Sequence, residues 1–145
     1  MSMALRHFED VAVGETFDCG AVSVSEAEII AFAERYDPQR IHLDPDHGEE
    51  LSDGVVASGW HTASLAMRQC VDGFLTDIAV VCAMGIRELR WYEPLRPADE
   101  LAVAAEIVDK DAMDADRGVV DVHVTATVDG ETAMERTDEV LVRRA

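Results

Sequence analysis

Apolar residues change their spacing twice along the chain. Ile29, Phe32, Ala33 and Tyr36 fall at i, i+3, i+4 and i+7, which is one face of a helix. Ser25 and Glu28 make an S-x-x-E capping box at its start, with Val24 and Ile29 placed as the hydrophobic staple, and Pro38 ends the run. Ahead of it, Thr16-Phe17-Asp18-Cys19-Gly20-Ala21-Val22 reads as a short opening strand. A second helix is predicted from about Trp60 to Asp72, ended by Gly73. Here Ala63, Leu65, Ala66, Met67, Cys70 and Val71 point all round the axis. A helix without a polar face must be wrapped by other elements.

The second half of the chain supplies the wrapping. Four strand-like runs cover roughly 78–92, 100–109, 119–128 and 132–142, with no further helical period. In the third, Val120, Val122, Val124, Ala126 and Val128 alternate with Asp121, His123, Thr125 and Thr127, the pattern of a half-exposed antiparallel strand. Asp129-Gly130 predicts a two-residue hairpin after it. Glu93-Pro94-Leu95-Arg96-Pro97 is placed to turn the first two runs into a pair, and the acidic segment 109–118 to turn the next. The expected order is therefore strand, helix, helix and an antiparallel meander. The expected fold is a single α+β domain over residues 1–145, its antiparallel sheet curled around one long buried helix.

Charge narrows the functional classes. The 145 residues hold 12 Lys+Arg against 30 Asp+Glu, a formal net charge of −18, with 48% hydrophobic residues. The apolar share suffices for a core and argues against a disordered acidic tail. A nucleic-acid partner is excluded for want of clustered cations, and an anionic membrane surface is disfavoured. No leader-like apolar stretch opens the chain and no run approaches the length of a membrane span, so a cytoplasmic location is expected. Cys19, Cys70 and Cys82 are widely spaced and read as free thiols. Among the basic residues only Lys110 is a lysine. The acids run from Glu9 to Glu139, which suits a salt-rich solvent that screens their repulsion.

Between the helices, Asp37 and His42 stand five residues apart across a proline-stiffened turn, able to face one cleft. A carboxylate and an imidazole sharing a water form an acid–base pair; the structural alternative is a turn-forming Asp and a surface His. Ser58 and Gly59 open the second helix, where free backbone N–H groups and the positive end of the helix dipole could stabilise charge on a thioester oxygen. The alternative makes Ser58 a plain N-cap. His42, Asp44, Asp46, His47 and, further on, His61 could be read as metal ligands, but their spacing matches no established metal motif, and no metal is expected.

Two stretches together, Phe32-Ala33-Glu34-Arg35-Tyr36-Asp37-Pro38-Gln39-Arg40-Ile41-His42 and Gly54-Val55-Val56-Ala57-Ser58-Gly59-Trp60-His61-Thr62, resemble the MaoC-like dehydratases, relatives of R-specific enoyl-CoA hydratases with the hot dog fold. The segment from Glu88 to Asp99 resembles that family's turn between long strands. The resemblance implies hydration of a 2-enoyl thioester, or dehydration of a 3-hydroxyacyl thioester. Asp37 and His42 would be the catalytic dyad, and Ser58 and Gly59 the oxyanion and substrate-binding residues. No cofactor is implied beyond the coenzyme A that carries the substrate, and the implied assembly is a homodimer or higher homo-oligomer. Arg40, Arg68, Arg87, Arg90 and Arg96 are available for the carrier's phosphates. Gln39, Arg40 and Tyr36 depart from the family pattern, at its Asn, Pro and Gly positions. A hot dog thioesterase and a non-catalytic acyl-thioester-binding domain are the alternatives.

If the acidic surface is adapted to salt, the melting temperature should rise between low and molar KCl. A flat or falling melting temperature across that range would remove the adaptation.

Overall fold

The capping box forms as written. The Ser25 hydroxyl accepts the Glu28 N–H at 3.1 Å while a Glu28 carboxylate oxygen accepts the Ser25 N–H at 3.1 Å. Helix α1 (Glu26–Tyr36) starts there, and Ile29 and Ala33 are its buried positions. Tyr36 departs from the expected apolar face, since its ring is 64% exposed. It sits at the last helical residue, where the chain leaves the core for the turn at Pro38.

The computed structural model describes residues 4–47 and 54–145. Strand β1 (Thr16–Val22) precedes α1. A four-residue helix α2 (Arg40–Leu43), a long helix α3 (Gly59–Gly73) and four long strands follow: β2 (Val80–Trp91), β3 (Leu101–Ala112), β4 (Arg117–Val128) and β5 (Glu131–Arg143). Between α1 and α3, where the sequence shows a proline-stiffened turn, the chain thus forms α2; residues 48–53 lie outside the described residues.

All strand pairs are antiparallel, in the order β1-β3-β4-β5-β2. The β4–β5 turn at Asp129-Gly130 has φ of +51° and +82°, as a two-residue primed hairpin requires. On β3, Leu101, Val103, Ala105 and Ile107 are buried and alternate with exposed residues, so one face of the sheet meets α3. This is a hot dog arrangement, a sheet curled around one helix.

The expected meander is corrected in one respect. The segment at residues 93–97 does not turn β2 into a pair with β3; β2 pairs with β5 at the far side of the sheet. The reason is that β3 already has β1 and β4 as neighbours. The chain must cross the sheet between β2 and β3, and it does so through the segment at residues 92–100. That crossing is tied down by Ala57 N–H to Leu95 O at 2.8 Å and Ala98 N–H to Val24 O at 2.9 Å.

Helix α3 is also less uniform than its composition suggests. Ala63, Ala66 and Cys70 are buried, whereas Trp60, Ser64, Arg68 and Val71 form an exposed stripe. Gly73 is its last residue and has no left-handed backbone. A Cβ there would lie 3.1 Å from Cys19 Sγ and 3.2 Å from Cys19 Cα, so glycine allows close approach of β1. On the sheet side, buried Arg136 of β5 pairs with Asp138 through Nε at 2.8 Å and donates from Nη1 to Ala63 O at 2.9 Å. Strand β2, by contrast, has one open edge and leaves Val81, Met84 and Ile86 exposed.

Candidate active site

Asp37 is the residue that ends α1, its N–H bonded to Ala33 O at 2.8 Å. Pro38 then directs the chain away, and α2 turns it back within three residues. That short helix carries His42 into the interior, 6% exposed. The two predicted dyad residues meet, with His42 Nε2 3.3 Å from Asp37 Oδ2.

Hydrogen bonds settle the chemistry of both side chains. His42 Nδ1 lies 2.7 Å from Val56 O; a carbonyl only accepts, so Nδ1 carries the hydrogen, and Nε2 is the nitrogen left bare whenever the ring is neutral. A bare nitrogen and a carboxylate oxygen at 3.3 Å repel each other unless a proton or a water lies between them. On the carboxylate, Gln39 Nε2 donates to Oδ1 at 2.7 Å and Ser58 Oγ donates to Oδ2 at 2.7 Å. These donors, Gln39 first and Ser58 next, hold the Asp37 carboxyl below the ordinary aspartate range; partial burial opposes them and His42 assists. Asp37 therefore stays ionised at any pH near neutrality.

Ser58 is fully buried at the N-cap of α3. Its hydroxyl accepts the Trp60 N–H at 3.3 Å while donating to Asp37, so it orients the dyad. Gly59 is the first helical residue, and its N–H has no partner inside the helix. A cleft of about 210 Å³ runs from His42 to Gly59, walled by Val56, Ala57, Thr62, Leu95 and Trp91 among others. It brings together the His42 imidazole, the Asp37 carboxylate close behind it and a helix N-terminus.

Two participants carried no signal strong enough to single them out in the sequence. Gln39 registered only as a departure, although an amide two residues from a carboxylate is a local donor. Trp91 belongs to a strand remote in sequence, and its indole Nε1 donates to Gly59 O at 2.8 Å. Of the other candidates, His61 stacks on Phe32 between α1 and α3, with ring centroids 4.5 Å apart. Among the described residues no three His, Cys, Asp or Glu side chains converge on a metal-sized space. Arg68 pairs with Asp72 and Arg87 with Asp121. Arg40 lies 3.6 Å from Asp44 and is largely exposed. Arg90 lines a groove that shares Trp91 and Tyr92 with the cleft.

Residues 9–130 match the MaoC like domain. A MaoC-like dehydratase from Rhodospirillum rubrum is 35% identical with a TM-score of 0.83, covering 97% of this chain and 98% of that one. Monoamine oxidase regulatory protein from Archaeoglobus fulgius superposes with a TM-score of 0.92 at 24% identity, over 100% and 99% of the two chains. An (R)-hydratase from A. caviae involved in PHA biosynthesis gives 0.70 at 21% identity, over 94% and 99%.

Replacing Gln39 with Ala should move the Asp37 pKa up toward the ordinary aspartate value of about 3.9. A carboxyl whose folded pKa is depressed stabilises the fold above its unfolded pKa and loses that contribution as pH falls through the folded value; the variant narrows this acid window. Carbon NMR of the Asp37 carboxyl through an acid titration measures it, and an unmoved midpoint would refute the role given to Gln39.

Proposed function

The chain belongs to the MaoC-like domain family, and from that membership and the Asp37–His42 geometry we propose that it is a hydratase of 2-enoyl thioesters, or in reverse a dehydratase of 3-hydroxyacyl thioesters. The observation that carries the reading is the commitment of His42 Nδ1 to Val56 O. It leaves Nε2 as a base beside an ionised carboxylate, with the Gly59 N–H, which no carbonyl of its own helix accepts, in the same cleft.

In the proposed reaction Asp37 and His42 hold one water between them. Its oxygen forms a bond to Cβ of the enoyl group as the Cα=Cβ π electrons shift toward the thioester oxygen. The proton that the water loses passes to the dyad. The enolate charge meets the Gly59 N–H, a type of contact worth about 2.7–4 kcal/mol when one donor is removed. As the enolate collapses, the dyad returns a proton to Cα, and the net result is addition of H and OH across the double bond. No electron transfer occurs, and the chain's own groups supply both proton transfers.

The carrier is coenzyme A in this reading. Its phosphates require local cations in a chain of net charge −18; Arg40, next to cleft residue Ile41, and Arg90 in the adjoining groove are the cations so placed. A second copy of the chain covers the open edge of β2. That edge exposes Val81, Met84 and Ile86 beside unpaired backbone, a surface that isolated proteins normally protect.

Asp37→Asn and His42→Ala should each lower crotonyl-CoA hydration about 100-fold or more, followed as loss of the enoyl absorbance. Undiminished hydration in both variants would end the dyad assignment. Release of free thiol without loss of the double bond would make the protein a thioesterase, and tight acyl-CoA binding without turnover a binding domain. Light scattering during gel filtration should report twice the 15.9 kDa chain mass; a monomer at micromolar concentration would refute the pairing at β2.

A further inference from the structure

The first residue of α3 is held from outside the helix. Gly59 has no Cβ to limit its backbone, and no carbonyl of its own helix accepts its N–H. Ser58 takes up the three N–H groups that follow. Its hydroxyl accepts that of Trp60 at 3.3 Å, and its carbonyl accepts those of His61 at 2.9 Å and Thr62 at 3.1 Å. Helix ends fray, and a glycine in the first position has the least of its own to resist it.

Trp91 supplies the restraint. Its indole Nε1–H donates to Gly59 O at 2.8 Å, on the lone pair that the helix bond leaves over. Its six-membered ring occupies the place where a side chain at 59 would begin, since a Cβ there would fall 2.5 Å from Cε2, 2.8 Å from Cδ2 and 2.9 Å from Cζ2. The ring thus limits Gly59 from outside, as a Cβ would from within. The indole is itself fixed. Trp91 pairs with Met134 across the β2–β5 ladder, just past the register slip between Arg87 and Arg90 where Glu88 adopts φ +54°, and such a bulge re-aims the side chains beside it. The Trp60 ring meets it edge-on, with centroids 5.3 Å apart. On the other side, Ser58 is fully buried and donates to Asp37 at 2.7 Å. The Ser58–Gly59 peptide, which carries the N–H, is therefore held at both ends.

We propose that Trp91 is a positioning residue that fixes the direction of the Gly59 N–H, so that this donor meets charge as it develops on the thioester oxygen. The inference rests on the hydratase reading of the preceding subsection, and it adds to that reading a residue from β2 that acts through Gly59. Hydrogen bonds weaken steeply off their axis, and a donor to a developing oxyanion is worth most when it is oriented beforehand. Loosening Gly59 must then lower kcat more than it raises KM, because the contact strengthens only as the enolate forms.

The test reads Gly59 directly. Ser58-Gly59 is the only Ser-Gly step in the chain, so carbonyl-labelled serine together with nitrogen-labelled glycine singles out its N–H in NMR spectra. The amide order parameter should be that of rigid backbone, about 0.85, in the wild type and fall toward about 0.6 in Trp91→Ala. Trp91→Phe, which keeps a ring and loses the donor, should lie between them. On crotonyl-CoA, Trp91→Ala should lower kcat about tenfold to 100-fold with KM within about threefold, and Trp91→Phe should again be intermediate. Adding Gly59→Ala to Trp91→Ala supplies a Cβ in place of the indole, and should restore the order parameter and raise kcat about threefold or more. An unmoved order parameter in the folded variants overturns the proposal, as does a change in KM alone.

A binding readout separates this proposal from the hydratase reading. Saturated butyryl-CoA should move the Gly59 amide proton downfield in the wild type, and Trp91→Ala should lose that movement. The same pattern in a chain that turns over no enoyl-CoA would retire the hydratase reading and support the positioning of Gly59. No movement in the wild type, or an equal one in the variant, would overturn the positioning, whatever the turnover.

Discussion

The four residues Val55–Ser58 are the constraint on which the site depends. They run extended and buried, outside any helix or strand. A buried backbone must find partners for its polar groups, and this segment finds them on both sides. Val56 N–H reaches Ile41 O at 3.1 Å and Ala57 N–H reaches Leu95 O at 2.8 Å. The same segment offers Val56 O to His42 and the Ser58 hydroxyl to Asp37. The imidazole tautomer, the carboxylate orientation and the start of α3 are consequently one structural problem with one solution. A shift of this segment by an ångström would move the base, the acid and the helix N-terminus together.

The way the carboxylate is held suits the rest of the molecule. Asp37 is stabilised as an anion by an amide and a hydroxyl, both neutral, with the imidazole contributing less. Hydrogen bonds at 2.7 Å from neutral donors, one an exposed amide and one a buried hydroxyl, are less sensitive to ionic strength than exposed ion pairs, whose attraction fades as the Debye length shortens. The exposed pairs Arg68–Asp72 and Arg117–Asp114 are of the sensitive kind and contribute little at best. The acid at the centre of the site thus keeps its charge without drawing on the chain's few cations. The net charge of −18 describes the surface more than it describes the chemistry.

What could be read from the sequence was what is settled locally. The capping box of α1, the Asp129-Gly130 hairpin and the alternation on β4 involve residues within a few positions of each other, and the structure has the first two as expected and the third with two departures, Asp121 being buried and Val128 only half-buried. Asp37 and His42 were readable as a pair because α2 brings them together within six residues. The placement of β2 was not readable, since the strand's own pattern is satisfied beside β3 or beside β5, and only the occupation of both β3 edges decides between them. Trp91 was hidden for the same reason: its direction depends on a bulge in a ladder whose partner strand lies over forty residues away. The exposed stripe of α3 was missed because Trp60 and Val71 look apolar in composition yet stand on the side that the single sheet does not cover.

Gly59 is required by space and not by the amide role proposed for it. Its role as an amide donor needs only a backbone N–H, which every residue except proline would supply. Its conformation is helical, so freedom to adopt a left-handed backbone is not the reason either. Space is the reason, and the neighbour that takes the space is the ring of Trp91. Positions 59 and 91 are therefore coupled: a smaller side chain at 91 would let position 59 carry a Cβ and still present its amide. Asp37, His42 and Gly59 come from one stretch of the chain, whereas Trp91 is brought against Gly59 by an edge strand from elsewhere.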